Sequence, residues 1–330
     1  MAARSNLELH QIDIKGAYLN GTLTNDEVIY MRQPPGFESA DHPHQVCHLR
    51  KTLYGLKQSG HCWYQRLVEI LVDELGFTQC SVDQAVYFRR RMPGELIVVV
   101  VHIDDCTITA KSLNEIDEFK RDIRKHVEIT DLGKLHWLLR IEVTWNRDKC
   151  TISLCQRPYI ESIVCHFGLD ELRPISNPME PSTKLHSGQS LSTGTEYTAM
   201  RHVPYCEAVG SLMYASLTTR PDISYAVATI SRFSNNPGMP HWEAVRRIYR
   251  YLLGTKDLRL MYGGAPSALI GYVDADGSMA EDHRAILGYA FLIDGGAMSW
   301  SSKKQEIVSL STMESEYVVA MHTAKEALWL

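Results

Sequence analysis

Asp104 and Asp105 are adjacent carboxylates that follow an apolar, β-branched run, Leu96-Ile97-Val98-Val99-Val100-Val101-His102-Ile103. Two like charges side by side repel, and each is costly to take out of water. A divalent cation removes both penalties. The chemistry that uses such a pair includes two-metal phosphoryl transfer, with ions about 3.5–4 Å apart on the attacking and leaving oxygens. It calls for a third acid on a neighbouring strand. Asp13 is the candidate, because Leu7-Glu8-Leu9-His10-Gln11-Ile12-Asp13-Ile14 alternates and places Asp13 at a strand's end. Adjacent aspartates are also ordinary hairpin-turn residues, so on spacing alone both readings stand.

The elements that must position these acids follow from patterning. Residues 96–103 fit a strand buried on both faces. The alternating Cys106-Thr107-Ile108-Thr109 behind them completes a hairpin with both carboxylates at its tip. Helices are predicted over residues 63–75 and 113–127, the second carrying Lys120, Arg121, Arg124 and Lys125. Residues 173–195 read as a linker, 13 of the 23 being Pro, Ser, Thr or Gly. Helices are then predicted over 204–216, 222–232 and 241–253. The last puts Trp242, Val245, Ile248, Tyr249 and Leu252 on one side and Arg246, Arg247 and Arg250 on another, either a solvated face or a phosphate contact. Gly263-Gly264-Ala265-Pro266 opens a tail with strands at 269–274, 288–293 and 297–300 and a helix from about Met313.

Composition excludes several classes. The 330 residues are 45% hydrophobic and 22% charged, enough for about two domains with ordinary cores. The longest purely apolar run, residues 96–101, is far short of the ~20 that a membrane helix needs. The N-terminus has no apolar stretch of signal-peptide type, so an intracellular location, cytoplasmic or nuclear, is expected, with no membrane partner. The eight cysteines form no C-x-x-C pair and read as reduced thiols. Net charge is −5, all of it in residues 266–330, where nine acids face four bases. Uniform basicity is therefore absent, although a carboxylate site that loads metal is acidic beforehand. His42, His44, Cys47 and His48 crowd together but lack the second ligand pair of a structural zinc site. Neither G-x-S-x-G nor G-x-x-x-x-G-K-[ST] occurs, which sets aside serine-hydrolase and P-loop chemistry.

Longer stretches carry a resemblance. Gln11-Ile12-Asp13-Ile14-Lys15-Gly16-Ala17-Tyr18-Leu19-Asn20-Gly21 resembles the first catalytic motif of copia-type retrotransposon reverse transcriptases. Tyr30-Met31-Arg32-Gln33-Pro34-Pro35-Gly36-Phe37 and Leu53-Tyr54-Gly55-Leu56-Lys57-Gln58 are similar to the segments that follow it in that family. His102-Ile103-Asp104-Asp105 stands where the family has Tyr-Val-Asp-Asp. Gly210-Ser211-Leu212-Met213-Tyr214, Thr219-Arg220-Pro221-Asp222-Ile223 and His241-Trp242 match farther along. Ser299-Trp300-Ser301-Ser302-Lys303-Lys304-Gln305 and Ser311-Thr312-Met313-Glu314-Ser315-Glu316-Tyr317 resemble the start of the family's ribonuclease H domain.

The resemblance implies an α+β fold. A right-hand polymerase palm with residual fingers is expected over residues 1–145, and a helical thumb and connection over 146–262, including the linker 173–195. An incomplete ribonuclease H-like α/β domain is expected over 263–330. It implies RNA- and DNA-templated DNA synthesis with a primer and deoxynucleoside triphosphates. Asp13, Asp104 and Asp105 would hold two Mg²⁺ ions, with Mn²⁺ as a substitute. Tyr18 would exclude a 2′-hydroxyl, and Gly55 and Lys57 would line the nucleotide pocket. Asp274 and Glu316 would be two of four ribonuclease H carboxylates, too few for turnover. Glu314, about 200° round the helix from Glu316, cannot share its face. Four departures stand out: His102 for Tyr, Gly60-His61 for Pro-Arg, Gly277 for Trp, and Arg140 where the family has Gly. A Gly there serves a left-handed backbone or a close approach, neither of which Arg140 does cheaply. The competing expectation is an inert element remnant that binds nucleic acid non-specifically through Arg246, Arg247 and Arg250.

Overall fold

A computed structural model describes the chain apart from residues 1, 25–26, 92–94, 181, 265–267, 277–283 and 310; Gly277 thus lies outside the described residues. It divides into two compact units, residues 1–135 and 136–330. The architecture is mixed α+β, with antiparallel sheets.

In the first unit α1 (Ala2–Ser5) leads into β1 (Glu8–Ile14), and β2 (Tyr30–Arg32) pairs with β3 (Val46–His48) in a small hairpin. Then come α2 (Ser59–Val68), which continues as a π-helical stretch Glu69–Glu74, β4 (Thr78–Gln79), β5 (Val86–Arg90), β6 (Leu96–His102), β7 (Asp105–Ala110), α3 (Leu113–Ile123) and β8 (Ile129–Lys134). The main sheet has the order β4-β5-β6-β7-β1-β8. α3 starts where Ser112 and Glu115 close a reciprocal capping box, and it turns Ile116, Phe119 and Ile123 inward at helical spacing.

Two expectations need correcting here. β6 is buried on one face only: Ile97 and Val99 are covered, whereas Val100 is 42% exposed. Trp63, Leu67, Ile70, Leu71, Ile116 and Phe119 all pack on the same side of the sheet, and an antiparallel sheet can leave its other face open. The β-branched residues of the open face serve strand propensity rather than burial. The hairpin tip is also displaced by one residue. Ile103 and Asp104 make the turn, while Asp105 opens β7 and pairs with His102.

The second unit begins with β9 (Trp137–Leu138), β10 (Ile141–Asn146) and β11 (Thr151–Cys155), joined by β12 (Leu260–Gly263) in the order β12-β11-β10-β9. Leu139 and Arg140, in the turn between β9 and β10, take φ of 49° and 63°. The left-handed backbone expected of a glycine is thus adopted by Arg140. Helices α4 (Arg157–His166), α5 (Gly194–Met200), α6 (Tyr205–Thr218), α7 (Ser224–Ser231) and α8 (Met239–Gly254) follow, and α4, α6, α7 and α8 share one apolar core. Residues 173–195 have little regular structure, as their composition predicts, yet they lie on that core through Ile175, Met179 and Leu185. The basic face of α8 holds them there: Arg247 pairs with Glu180 at 2.6 Å, and Arg250 donates to the Arg173 carbonyl. Arg246 pairs with Glu243. All three arginines thus have partners within the chain.

Beneath this core sits Arg220, 1% exposed. It donates from Nε and Nη2 to Asp222 at 2.9 and 2.7 Å and from Nη1 and Nη2 to Thr255, and its guanidinium lies over the Tyr251 ring. The Tyr251 hydroxyl donates to Asp222. The Thr219–Ile223 motif is thus a buried ion pair that fastens the end of α6 to the end of α8. The tail forms β13 (Ile270–Asp276), β14 (Ile286–Ile293), β15 (Gly296–Lys304) and α9 (Thr312–Trp329).

Candidate active site

The acids of two distant motifs meet at one corner of the first unit's sheet. Antiparallel pairing of β1 with β7 makes Asp13 and Asp105 direct cross-strand partners. Ile12 and Ile14 point into the core, so alternation turns Asp13 to the open face, with Asp105 beside it. The Ile14 N–H donates to the Asp104 carbonyl at 2.9 Å, which ties the turn to β1. Gln11, buried one pleat away, donates from its amide to Asp105 Oδ1 at 2.9 Å.

Electrostatics mark this corner as short of positive charge. Burial pushes the Asp13 carboxyl above the usual carboxylate range, the charges of Asp104 and Asp105 push it further, and Lys15 opposes them weakly. Lys15 is itself paired with Glu128. The buried Cys106 thiol is pushed up by burial and then by the same carboxylates. Among the described residues no three His, Cys, Asp or Glu side chains close into a ready-made metal cage. One Asp105 oxygen is engaged by Gln11. The His42–His48 cluster forms no such cage either. The all-carboxylate donor set nevertheless fits Mg²⁺, which takes one or two protein carboxylates and fills its shell with water and substrate phosphate.

The turn is strained. Ile103 has φ 61°, a left-handed conformation that a β-branched residue rarely takes. The Trp63 indole N–H donates to the Ile103 carbonyl at 2.8 Å. A cavity of about 240 Å³ lies beside it, lined by Tyr18, Trp63, Tyr87, Val101 and Ile103 among others.

Tyr18 sits in a 3₁₀ turn, Ala17–Asn20, launched by Gly16 in left-handed conformation. Its ring meets Tyr54 edge-to-face at 5.2 Å, and its carbonyl accepts from the Thr52 hydroxyl. The neighbouring Gly21 has no room for a side chain: a Cβ would lie 2.6 Å from Thr52 Oγ1 and 3.1 Å from the Trp63 amide nitrogen. Gly55 follows Tyr54 with φ 94°. Segments 11–21 and 52–63 are therefore interlocked, bringing Tyr18 next to Tyr54 and Gly55. Lys57 is exposed, and no described contact joins it to the carboxylates.

The tail pair is not assembled. In β13–β15 the register groups Asp274 with Gly288 and Ser302, and Tyr272 with Ala290 and Trp300. The Trp300 indole donates to the Ser216 carbonyl of α6, so this face looks toward the helices. Ser299, on the opposite face, bonds Glu326 of α9 at 2.5 Å. Asp274 and the helix that carries Glu316 thus lie on opposite faces of the sheet.

Residues 1–181 match the family model described as reverse transcriptase (RNA-dependent DNA polymerase). The chain is 41% identical, over its whole length, to the retrovirus-related Pol polyprotein of transposon TNT 1-94 from Nicotiana tabacum, covering 25% of that protein. It is 37% identical, over 98% of the chain, to that of transposon RE1 from Arabidopsis thaliana, covering 21% of it. A putative transposon Ty5-1 protein of Saccharomyces cerevisiae is 32% identical and is covered completely. The chain belongs to the reverse transcriptase family of copia-type transposon Pol polyproteins. By family it is an RNA-directed DNA polymerase domain. It spans about a quarter of the length of the Pol polyproteins it matches.

Within the reverse transcriptase domain, sequence reasoning missed Gln11 and Trp63. Gln11 carried a signal, since it lies two residues before Asp13 on the same strand face. Trp63 had none beyond its place on the apolar side of a helix. Among the described residues no helix is long and apolar enough to cross a membrane.

Proposed function

We propose that this reverse transcriptase domain extends a primer on an RNA or DNA template, with Asp13, Asp104 and Asp105 as the carboxylates of a two-metal nucleotidyl-transfer site. The observation that carries the reading is the cross-strand pairing of Asp13 with Asp105, with Asp104 tied to the same strand. Two bound Mg²⁺ ions, or Mn²⁺ in their place, would lower the pKa of the primer 3′-hydroxyl and neutralise the triphosphate. Alternation along β1 turns Asp13 to the open face of the sheet, where a primer end would be accessible. Gln11 fixes the orientation of Asp105. Tyr18, braced by Tyr54, fits a barrier against a 2′-hydroxyl on the incoming nucleotide, and Gly55 and the exposed Lys57 of the following segment would line the nucleotide pocket.

On this reading residues 1–145 act as palm with residual fingers, 146–262 as thumb and connection, and 263–330 as a ribonuclease H-like portion. Opposite placement of Asp274 and α9 supports polymerisation without hybrid cleavage. Against the second reading, non-specific binding alone, stands that Arg247 and Arg250 of its proposed surface already pair within the chain, with Glu180 and the Arg173 carbonyl. Primer extension on an RNA template with Mg²⁺, comparing the parent with Asp104→Asn, tests the choice. Extension lost in the variant, with template affinity kept, supports the polymerase. Salt-dependent binding without extension in either chain supports the second reading.

A further inference from the structure

We propose that Trp63 is a positioning residue for Asp104: its indole N–H holds the Ile103 carbonyl and so keeps the carboxylate-bearing turn in its left-handed bend. The inference rests on reading Asp104 as a polymerase carboxylate. Ile103 is β-branched and has φ 61°, a conformation disfavoured roughly tenfold for a residue with a Cβ. A turn of Gly or Asn would adopt it freely, so something outside the turn must hold this one.

Two hydrogen bonds from other elements do so. The Ile14 N–H takes the Asp104 carbonyl at 2.9 Å, and Trp63 Nε1 takes the Ile103 carbonyl at 2.8 Å. Trp63 is 3% exposed and packs in the same core as Ile97 and Val99. If Ile103 relaxed to an ordinary backbone conformation, its carbonyl would swing away and leave a buried indole N–H without an acceptor, which is itself unfavourable. The turn and the indole therefore hold each other, and α2 is coupled to the position of Asp104 without touching a substrate.

The test uses the full chain. Trp63→Phe removes the N–H and keeps an aromatic ring. Amide hydrogen exchange at Ile14 is expected to accelerate about tenfold, the effect of losing one hydrogen bond, while amides of the β10–β11 hairpin stay unchanged. In single-nucleotide addition kcat is expected to fall about tenfold, with the KM for nucleotide and the affinity for primer–template unchanged. Adding Ile103→Asn, which tolerates the left-handed bend, should return exchange and kcat to within about twofold of the parent. Ile103→Asn alone should leave Ile14 exchange equal to or slower than the parent, a readout that stands even if Trp63→Phe folds poorly. Unchanged Ile14 exchange in Trp63→Phe, or no rescue by Ile103→Asn, overturns the proposal. An exchange shift with rescue in a chain that never extends a primer supports the positioning and counts against the polymerase reading alone.

Discussion

Asp222→Asn removes the counter-charge of a guanidinium that is 1% exposed and keeps the shape of the side chain. Breaking a buried pair from one side costs about 3–5 kcal/mol, because the remaining charge stays buried and unpaired. The Asp222 side chain is 30% exposed, and asparagine still offers an oxygen to Nε, so about 3 kcal/mol is expected here. The second unit has about 195 residues, for which each kcal/mol shifts Tm by about 2–4 °C, giving a fall of about 6–12 °C. Scanning calorimetry of the full chain, following the transition of residues 136–330, reads it. The double variant Arg220→Met/Asp222→Asn has no stranded charge and should be more stable than Asp222→Asn by at least about 1 kcal/mol. Additive costs would refute the ion pair's assigned role. Acid should weaken the same pair. Burial pushes the Asp222 carboxyl up, but the hydrogen bonds and charge of Arg220, with the Tyr251 hydroxyl, outweigh it and hold the group below its ordinary 3.8. The stability it contributes is complete above that value and is lost as pH falls through the lowered one.

Arg140→Gly should stabilise the chain by about 1 kcal/mol in urea unfolding, because glycine takes φ 63° without strain; destabilisation would show that the side chain outweighs the backbone. Burial, then the charge of Lys120, holds His10 below its ordinary 6.5. The folded state resists protonation, so stability should fall as pH drops below 6.5, and His10→Gln should lower Tm less between pH 7 and 5 than the parent; equal shifts would reject this. Purified chain should not cleave an RNA–DNA hybrid, and cleavage abolished by Asp274→Asn would contradict the opposite placement of Asp274 and α9.

Asp13 at a strand's end and the acids near a hairpin turn were legible from local alternation, whereas bringing Asp13 together with Asp104 and Asp105 rested on the resemblance, because β1 and β7 pair across about 90 residues. The helices over 59–68, 113–123 and 239–254 were legible locally too, each being carried by an apolar stripe at helical spacing. What escaped depends on partners far along the chain. The open face of β6 is decided by α2 and α3 both covering the other side, which no pattern within 96–103 encodes. Residues 173–195 look like a tether by composition, and their docking through Ile175, Met179 and Leu185 and through Arg247 and Arg250 of α8 depends on helices far along the chain. Ile103 reads as one more apolar strand residue, since its left-handed turn is sustained by an indole 40 positions earlier. Asp274 and Glu316 read as partners from the resemblance alone, and strand alternation does not tell which face α9 will cover.

The central claim is tested most directly by single-turnover addition of one deoxynucleotide to a primer on an RNA template, with Mg²⁺, comparing the parent with Asp13→Asn and with Lys15→Gln as a neighbouring control. If Asp13 is a catalytic carboxylate, the parent adds the nucleotide, Lys15→Gln adds it at near-parent rate, and Asp13→Asn loses at least about a hundredfold. Addition by Asp13→Asn at the parent rate would contradict it.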